Sequence, residues 1–266
     1  MAATPAILDL RCPEMGRIEQ VAAVIPVHNE EPHLARALAA LSSAADALQQ
    51  SQPEIDVAIL VVLDACTDGS GTVAARFAAA DGRITLLPVV FRSVGRSRRA
   101  GINLLLAGRG PDRARAGRVL ATERMWLANT DADSCVPDNW LLRQVELADR
   151  GADAVLGTVE PDPAGMDGEL LRRWHVRHPL GEDHPHVYGA NFGVRASAYI
   201  GAGGFPCQPS HEDRVLAAQL RRNGYRITST DAVRVVTSGR TEARAPQGFG
   251  TYLLALGMES TVAFER

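Results

Sequence analysis

The sequence predicts an α/β fold: a doubly wound, mostly parallel sheet with helices on both faces. Near-continuous apolar runs, VAAVIPV at Val21 to Val27 and DVAILVVL at Asp56 to Leu63, suit strands buried on both faces of a parallel sheet. Segments with helical periodicity alternate with such runs through about residue 150, the pattern that right-handed strand–helix–strand crossovers produce. Polar clusters follow the predicted strands, and in open α/β sheets the carboxyl ends of the strands bind ligands.

Taken in order, Met1 to Gln20 has no clear period and is a lead-in. After the strand at Val21 to Val27, Asn29 or Glu30 can cap a helix and Pro32 suits its first turn. Leu34, Leu38 and Leu41 then recur at helical spacing. The strand at Asp56 to Leu63 ends in a polar loop, Asp64 to Ser70, before a helix over Gly71 to Ala80. Asp81-Gly82 turns the chain into a third strand, Arg83 to Pro88. Arg92 to Arg99, RSVGRSRR, is a basic loop before a helix through Ile102 and Leu106. Gly108 to Gly117 is an Arg- and Gly-rich surface excursion. The apolar run Met125 to Ala128 is a strand that stops at Asn129-Thr130. Asp131 and Asp133 follow, and Pro137 opens a helix carrying Trp140, Leu141 and Val145.

The second half differs. Asp153 to Thr158 is a strand, whereas Pro161 to Pro185 gives no firm secondary structure. Val187 to Val194 is a candidate strand, followed by the glycine-rich Gly201 to Gly204. His211 to Asn223 is a helix with Val215, Leu216 and Leu220 on one face and Gly224 as its C-terminal cap. Tyr225 to Thr237 ends in a strand, and Gly248 to Phe264 has a helical tail. No linker separates the halves, so a single compact two-part domain is expected, divided as 1–20, 21–150, 151–247 and 248–266.

With 266 residues, 46% hydrophobic and 22% charged, the chain has an ordinary globular composition and can bury a large core. A net charge of −3 gives no reason to expect nucleic acid as partner. Cys12, Cys66, Cys135 and Cys207 stand in no paired spacing, which predicts reduced thiols in a cytosolic protein. The sequence shows neither a signal peptide nor an apolar run long enough to span a bilayer. A cytoplasmic location with no transmembrane segment is therefore expected.

Polar clusters at His28 to Glu31, Asp64 to Asp68, Arg92 to Arg99 and Asp131 to Asp133 fall at predicted strand ends. Two aspartates one residue apart in extended backbone point to the same side. A hard cation such as Mg²⁺ or Mn²⁺ takes one or two carboxylates plus phosphate oxygens, and arginines neutralise phosphate. Together the clusters point to a nucleotide diphosphate. Helix capping and loop solvation are the plainer account of any one cluster, and that account weakens when all of them share one edge.

The segments VIPVHNEE, VVLDACTDGS, NTDADSCVPDNWL, GANFGVRASAYIGAGGF and HEDRVLAAQLRRNGY resemble, in that order, the landmarks of family 2 glycosyltransferases with the GT-A fold. The resemblance covers roughly Val21 to Val236. It implies a GT-A-like (Rossmann-like) sheet, with the nucleotide-sugar site in the first half and the acceptor and catalytic groups in the second. Pro26, Asn29 and Glu30 would line the nucleoside site, and Asp64 would contact the base. The family's second acidic residue is Leu63 here, and its Gly-Ser is Ala65-Cys66, so uracil and guanine both stay open. Arg96 would stand where a Gly-Lys pair touches the nucleotide, with Arg99 assisting. Asp131 and Asp133 match the metal-binding Asp-x-Asp, with Asp133 the direct ligand. Glu212-Asp213 matches the family's Glu-Asp pair, with Asp213 as base and Glu212 orienting. Carboxylates complementing a helix dipole are the plainer use of that pair.

Gly189-Ala190-Asn191 would face the sugar or acceptor, or else form a tight backbone passage. His184-x-His186 is a loop rather than a metal site, for want of a third partner. Arg240 and Arg244 would close over the diphosphate or belong to a solvated loop, and the histidine ligand of many relatives is missing near that strand end. Trp126 and Trp140 are core residues, while Trp174 could stack on a sugar. The expected function is a metal-dependent hexosyltransferase, inverting, that uses a UDP- or GDP-sugar, Mn²⁺ or Mg²⁺, and an unknown hydroxyl acceptor. A homodimer is compatible with it. A retaining transferase of the same fold and a non-catalytic nucleotide-sugar binding module stand as alternatives.

Overall fold

A computed structural model of the chain describes residues 16–108, 121–208, 210–241 and 248–259. The first half comprises β1 (Gln20–Val27), α1 (Glu31–Ser51), β2 (Asp56–Asp64), α2 (Ser70–Ala80), β3 (Ile84–Val89), α3 (Val94–Leu106), β4 (Met125–Asn129), β5 (Ser134–Cys135) and α4 (Trp140–Asp149). The second comprises β6 (Ala154–Pro161), α5 (Gly168–Arg177), β7 (Phe192–Arg195), α6 (Ala196–Gly201), α7 (Glu212–Arg222), β8 (Ile227–Thr237) and α8 (Phe249–Met258). Both halves contribute to one sheet, ordered β3-β2-β1-β4-β7-β6-β8-β5. Strands β1 to β4 pair in parallel, as do β6 and β8. Strand β7 runs antiparallel between β4 and β6, and β5 runs antiparallel to β8.

The apolar runs split by parity. Val21, Ala23, Ile25 and Val27 of β1 join Val57, Ile59 and Val61 of β2 beneath α1, α2 and α4. Ala22 and Val24 join Ala58, Leu60 and Val62 on the opposite face, beneath α3, α6 and α7. Successive strand side chains point to opposite faces, so a strand covered on both sides must be apolar at every position. Each fully buried branched aliphatic contributes roughly 1.5–3 kcal/mol. Helix α3 lies close on the sheet because Gly101 has no side chain. A Cβ there would come within 2.9 Å of Val62 and 3.0 Å of Val24.

Trp126 and Trp140 are fully buried, donating to Gln144 Oε1 (2.8 Å) and Asn191 Oδ1 (2.9 Å). Four sequence expectations need correction. Most of Arg92 to Arg99 is not a loop but the start of α3, which begins at Val94. The stretch Pro161 to Pro185 is not structureless, because it contains α5. Asp167 caps that helix by accepting from Glu169 N and Leu170 N, and Trp174 packs against Leu253 and Leu256 of α8. Of Val187 to Val194, only the end pairs as β7, since Gly189–Asn191 forms a turn of 3₁₀ helix. Helix α4 begins at Trp140 rather than Pro137, after a turn in which Trp140 N donates to Pro137 O at 2.9 Å. Among the described residues, no helix is long and apolar enough to cross a membrane. Cys12, Arg244 and most of the Gly108 to Gly117 segment lie outside the described residues.

Candidate active site

The carboxyl ends of β1, β2, β4 and β8 open with the first turn of α7 onto one cavity of about 770 Å³. Tight turns flank it, and two of their left-handed residues, Arg92 and His211, line it. Asn29, Ala65, Arg92 and His211 have φ of 53°, 49°, 49° and 61°, a left-handed region that side chains other than Asn, Asp and His rarely adopt. Such conformations persist where surrounding contacts hold them, and they cluster at functional sites.

Asp64 organises the turn after β3. Its carboxylate accepts from Arg92 N (2.8 Å), Ser93 N (2.9 Å) and Ser97 Oγ (2.8 Å). Burial pushes its carboxyl up, but these donors outweigh burial and hold it below the usual range. Asp64 therefore lines the cavity while fixing the first turn of α3.

Two arginines knit the acidic groups together. Arg98 is buried, and its two terminal nitrogens separately meet Asp131 and Glu212. The slot it occupies is defined by glycine, since a Cβ on Gly189 would lie 2.5 Å from Arg98 Nη1. Arg240, just past β8, forms a two-pronged pair with Glu30 (2.8 and 2.6 Å) and reaches Asp133 Oδ2 at 2.9 Å. Asp133 also lies near Ser134 Oγ (3.3 Å) and Thr237 Oγ1 (3.4 Å). Burial, then the charge of Asp131, pushes its carboxyl up to about 6, against the pull of Arg240. Glu212 is likewise raised by burial, against the pull of Arg98. Asp213 beside it is partly exposed and has no ion-pair partner among the described residues. Its Oδ1 accepts only from Arg214 N, at 2.7 Å.

The Asp131–Asp133 pair fits a hard divalent cation by its chemistry: oxygen donors near enough for the charge of Asp131 to act on Asp133, which is buried and stays raised even with Arg240 beside it. Among the described residues no cluster of three His, Cys, Asp or Glu side chains forms there. Such a cation would complete its shell from phosphate and water.

Of the residues singled out in the sequence, Pro26, Glu30, Asp64, Asp131, Asp133, Glu212 and Asp213 line this cavity. Asn29, Arg96, Arg99 and Asn191 do not. Asn29 exchanges hydrogen bonds with Thr67 across the β1 and β2 loops. Arg96 is exposed and lies over the Phe91 ring, 4.6 Å from its centroid. Arg99 donates to Phe205 O at 3.0 Å. Asn191 is buried and fully engaged. It accepts from Trp140 and donates to Thr158 O (2.8 Å) and Val233 O (2.7 Å), clamping β6 to β8. Trp174 is 1% exposed and stacks on His178 at 3.6 Å, so it supports the wall rather than offering a free face. His184 belongs to a loop, with Nε2 3.1 Å from Leu156 O. Sequence reading missed Arg98, although helical spacing held the clue. Arg98 falls between Gly95, Gly101 and Ile102 on the inward face of α3.

Comparison with known proteins places these observations in a family. A sequence profile described as glycosyl transferase family 2 matches residues 22–199. The succinoglycan biosynthesis protein ExoA of Rhizobium meliloti (strain 1021) is 27% identical over 226 residues, covering 80% of this chain and 61% of that protein. The chain thus spans about three fifths of that relative's length. S. aureus TarS 1-349, solved with UDP, superposes with a TM-score of 0.59 at 14% identity, over 89% of this chain and 64% of its own. The mannosyltransferase PcManGT from Pyrobaculum calidifontis, solved with GDP-Man and Mn²⁺, gives 0.59 at 20% identity, over 88% and 61%. Glucosyl-3-phosphoglycerate synthase from Mycobacterium tuberculosis, solved with phosphoglyceric acid, gives 0.51 at 15% identity, over 93% and 83%. At these identities the likeness establishes the fold: the GT-A-like sheet with helices on both faces.

Proposed function

The chain belongs to glycosyl transferase family 2, and from that premise we propose that it moves a sugar from a nucleotide-diphosphate sugar to an acceptor hydroxyl, with inversion and with the help of a divalent cation. One observation carries the reading. The Asp131–Asp133 pair, the Glu212–Asp213 pair and the cationic Arg98 and Arg240 meet around one cavity, although they come from distant parts of the chain.

Asp213 serves as base, because among the carboxylates lining the cavity it has neither an arginine partner, as Glu30, Asp131, Asp133 and Glu212 have, nor the three converging donors that engage Asp64. It takes the proton of the acceptor hydroxyl as that oxygen attacks the anomeric carbon. The bond to the diphosphate breaks on the opposite side, and its electron pair leaves with the phosphate oxygen. Glu212, pinned by Arg98, fixes the first turn of α7 and hence Asp213. Arg240 stands beside Asp133 to meet diphosphate charge. Asp133 and Asp131 would hold the cation, and what it supplies there when bound is positive charge against the leaving group. Solved structures that share the fold hold UDP in one case and GDP-Man with Mn²⁺ in another, so both bases enter the test.

Thermal unfolding against UDP-, GDP- and dTDP-sugars, with and without Mn²⁺, tests the donor site. A ligand at a hundredfold its Kd raises stability by about 2.7 kcal/mol. The expected result is a metal-dependent rise with one nucleotide, and no shift with any of them sinks the reading. The product's anomeric configuration by NMR should be inverted relative to the donor. Retention would remove Asp213 from the role of base.

A further inference from the structure

We propose that the acceptor is itself a sugar, seated with the C–H face of its ring on an aromatic wall that α5, α8 and the segment before β7 build along the cavity. This rests on the transferase reading above and names its acceptor class.

The wall is made of His178, Tyr188, Phe249 and Tyr252, all of which line the cavity. Buried Trp174 is its pillar. His178 stacks on the indole at 3.6 Å, while Phe249 and Tyr252 meet it edge-on at 4.9 and 5.8 Å. Tyr188 stands 6.4 Å away, tilted. Helix α8 carries no charged side chain from Phe249 to Met258. Leu253 and Leu256 fasten it to Trp174, and Arg173 closes its end by donating to Glu259 O at 2.6 Å.

The arginines of α5 beside the wall are already matched. Arg172 and Arg173 pair with Glu169, and Arg177 pairs with Glu259. Burial holds the His178 imidazole down to about 4, so it faces the cavity neutral near pH 7. Arg214 is the cation close enough to act on Tyr188 and His186. The Tyr188 hydroxyl has no hydrogen bond among the described residues.

That chemistry selects among acceptors. A pyranose has one face of polarised C–H groups, which suits the negative face of an aromatic ring, and a rim of hydroxyls. Tyr188, Asp213 and Arg214 can meet the rim. A small phosphorylated acid has no such face and needs converging cations. A lipid chain needs a trough without polar groups, and His178 and the Tyr188 hydroxyl interrupt this one. The wall also begins beside the chemistry: Tyr188 adjoins Gly189, which abuts the Arg98 guanidinium that holds Glu212.

The test uses the full chain and the donor nucleotide identified by stabilisation. Acceptors are methyl glucoside, methyl galactoside, methyl mannoside and cellobiose, set against 3-phosphoglycerate and octanol, with product read by mass spectrometry. Transfer to a sugar is expected. Tyr188→Ala and Tyr252→Ala should each raise acceptor KM roughly tenfold with a smaller change in kcat; Tyr252→Phe should restore it, and Tyr188→Phe, which keeps the ring but loses the hydroxyl that meets the rim, should restore it in part. Nucleotide binding, read separately in each variant, reports on fold and donor site. If no nucleotide binds the wild-type chain, the transferase reading fails first. If nucleotide binds but transfer goes to 3-phosphoglycerate or octanol, the sugar-acceptor proposal is overturned. Absence of both transfer and saturation-transfer NMR contact for every sugar overturns it as well, and so does an acceptor KM untouched by both alanine variants.

Discussion

Arg98 joins Asp131 to Glu212, with one guanidinium nitrogen on each carboxylate. The link ties the first aspartate after β4 to the first residue of α7, so the proposed metal-side and base-side groups share one buried cation. Removing one partner of a buried ion pair typically costs about 3–5 kcal/mol. Arg98→Met should therefore lower the unfolding free energy by that order in denaturant titration. Arg98→Lys keeps a charge, but a point-like ammonium cannot fork to two carboxylates. It should unfold closer to wild type yet lose roughly a hundredfold in kcat. Wild-type turnover in the lysine variant would mean that the fork does not position Asp213.

Asp133 should separate metal-assisted binding from simple nucleotide affinity. Asp133→Asn keeps the size and removes the charge. Nucleotide stabilisation without Mn²⁺ should persist, while the increment added by Mn²⁺ should vanish in the same thermal scans. An undiminished Mn²⁺ increment would place the cation elsewhere.

Much of this architecture was legible in the sequence for a physical reason. A parallel strand buried on both faces leaves an unbroken apolar run, as β1 and β2 do. Strand ends in such sheets collect polar residues, so Asp64, Asp131 and Asp133 could be placed from order alone. Side-chain direction could not. Arg96, Arg98 and Arg99 sit within one turn of α3, and only the packing of that helix against the sheet turns Arg98 inward. Asn191 lies beside residues that do line the cavity, yet its amide is taken up by Trp140, Thr158 and Val233. Helix α5 stayed hidden because its charged residues dominate and its apolar contacts, through Trp174, are made with the distant α8.

Ala65 tests whether backbone strain is stored in the turn that follows Asp64. Its φ of 49° is left-handed, which costs a non-glycine residue roughly 1–2 kcal/mol. Glycine relieves that cost but loses about 0.5–1 kcal/mol more entropy on folding. Ala65→Gly should therefore hold or raise stability by up to about 1 kcal/mol, seen as a small rise in Tm. A clear fall in Tm would mean that the methyl group makes contacts worth more than the strain.

Asp64 gives a pH prediction with a definite sign. Burial alone would raise its carboxyl, but the Arg92 and Ser93 amides and the Ser97 hydroxyl hold it below the ordinary range. A carboxyl whose folded pKa is depressed binds its proton more weakly in the folded state than in the unfolded one. Its contribution is then fully present above the unfolded value of about 3.9 and is lost as pH falls through the folded value. Asp64→Asn presents an amide with one acceptor and one donor end to a site that supplies donors only. The variant should be less stable than wild type near pH 7, by about 1–3 kcal/mol for the donors left unmatched. The gap should narrow below about pH 4 as wild type protonates. Urea unfolding of both proteins at neutral pH and at successive acidic points measures that gap directly. A gap independent of pH would mean that the Asp64 charge contributes nothing to the turn it caps.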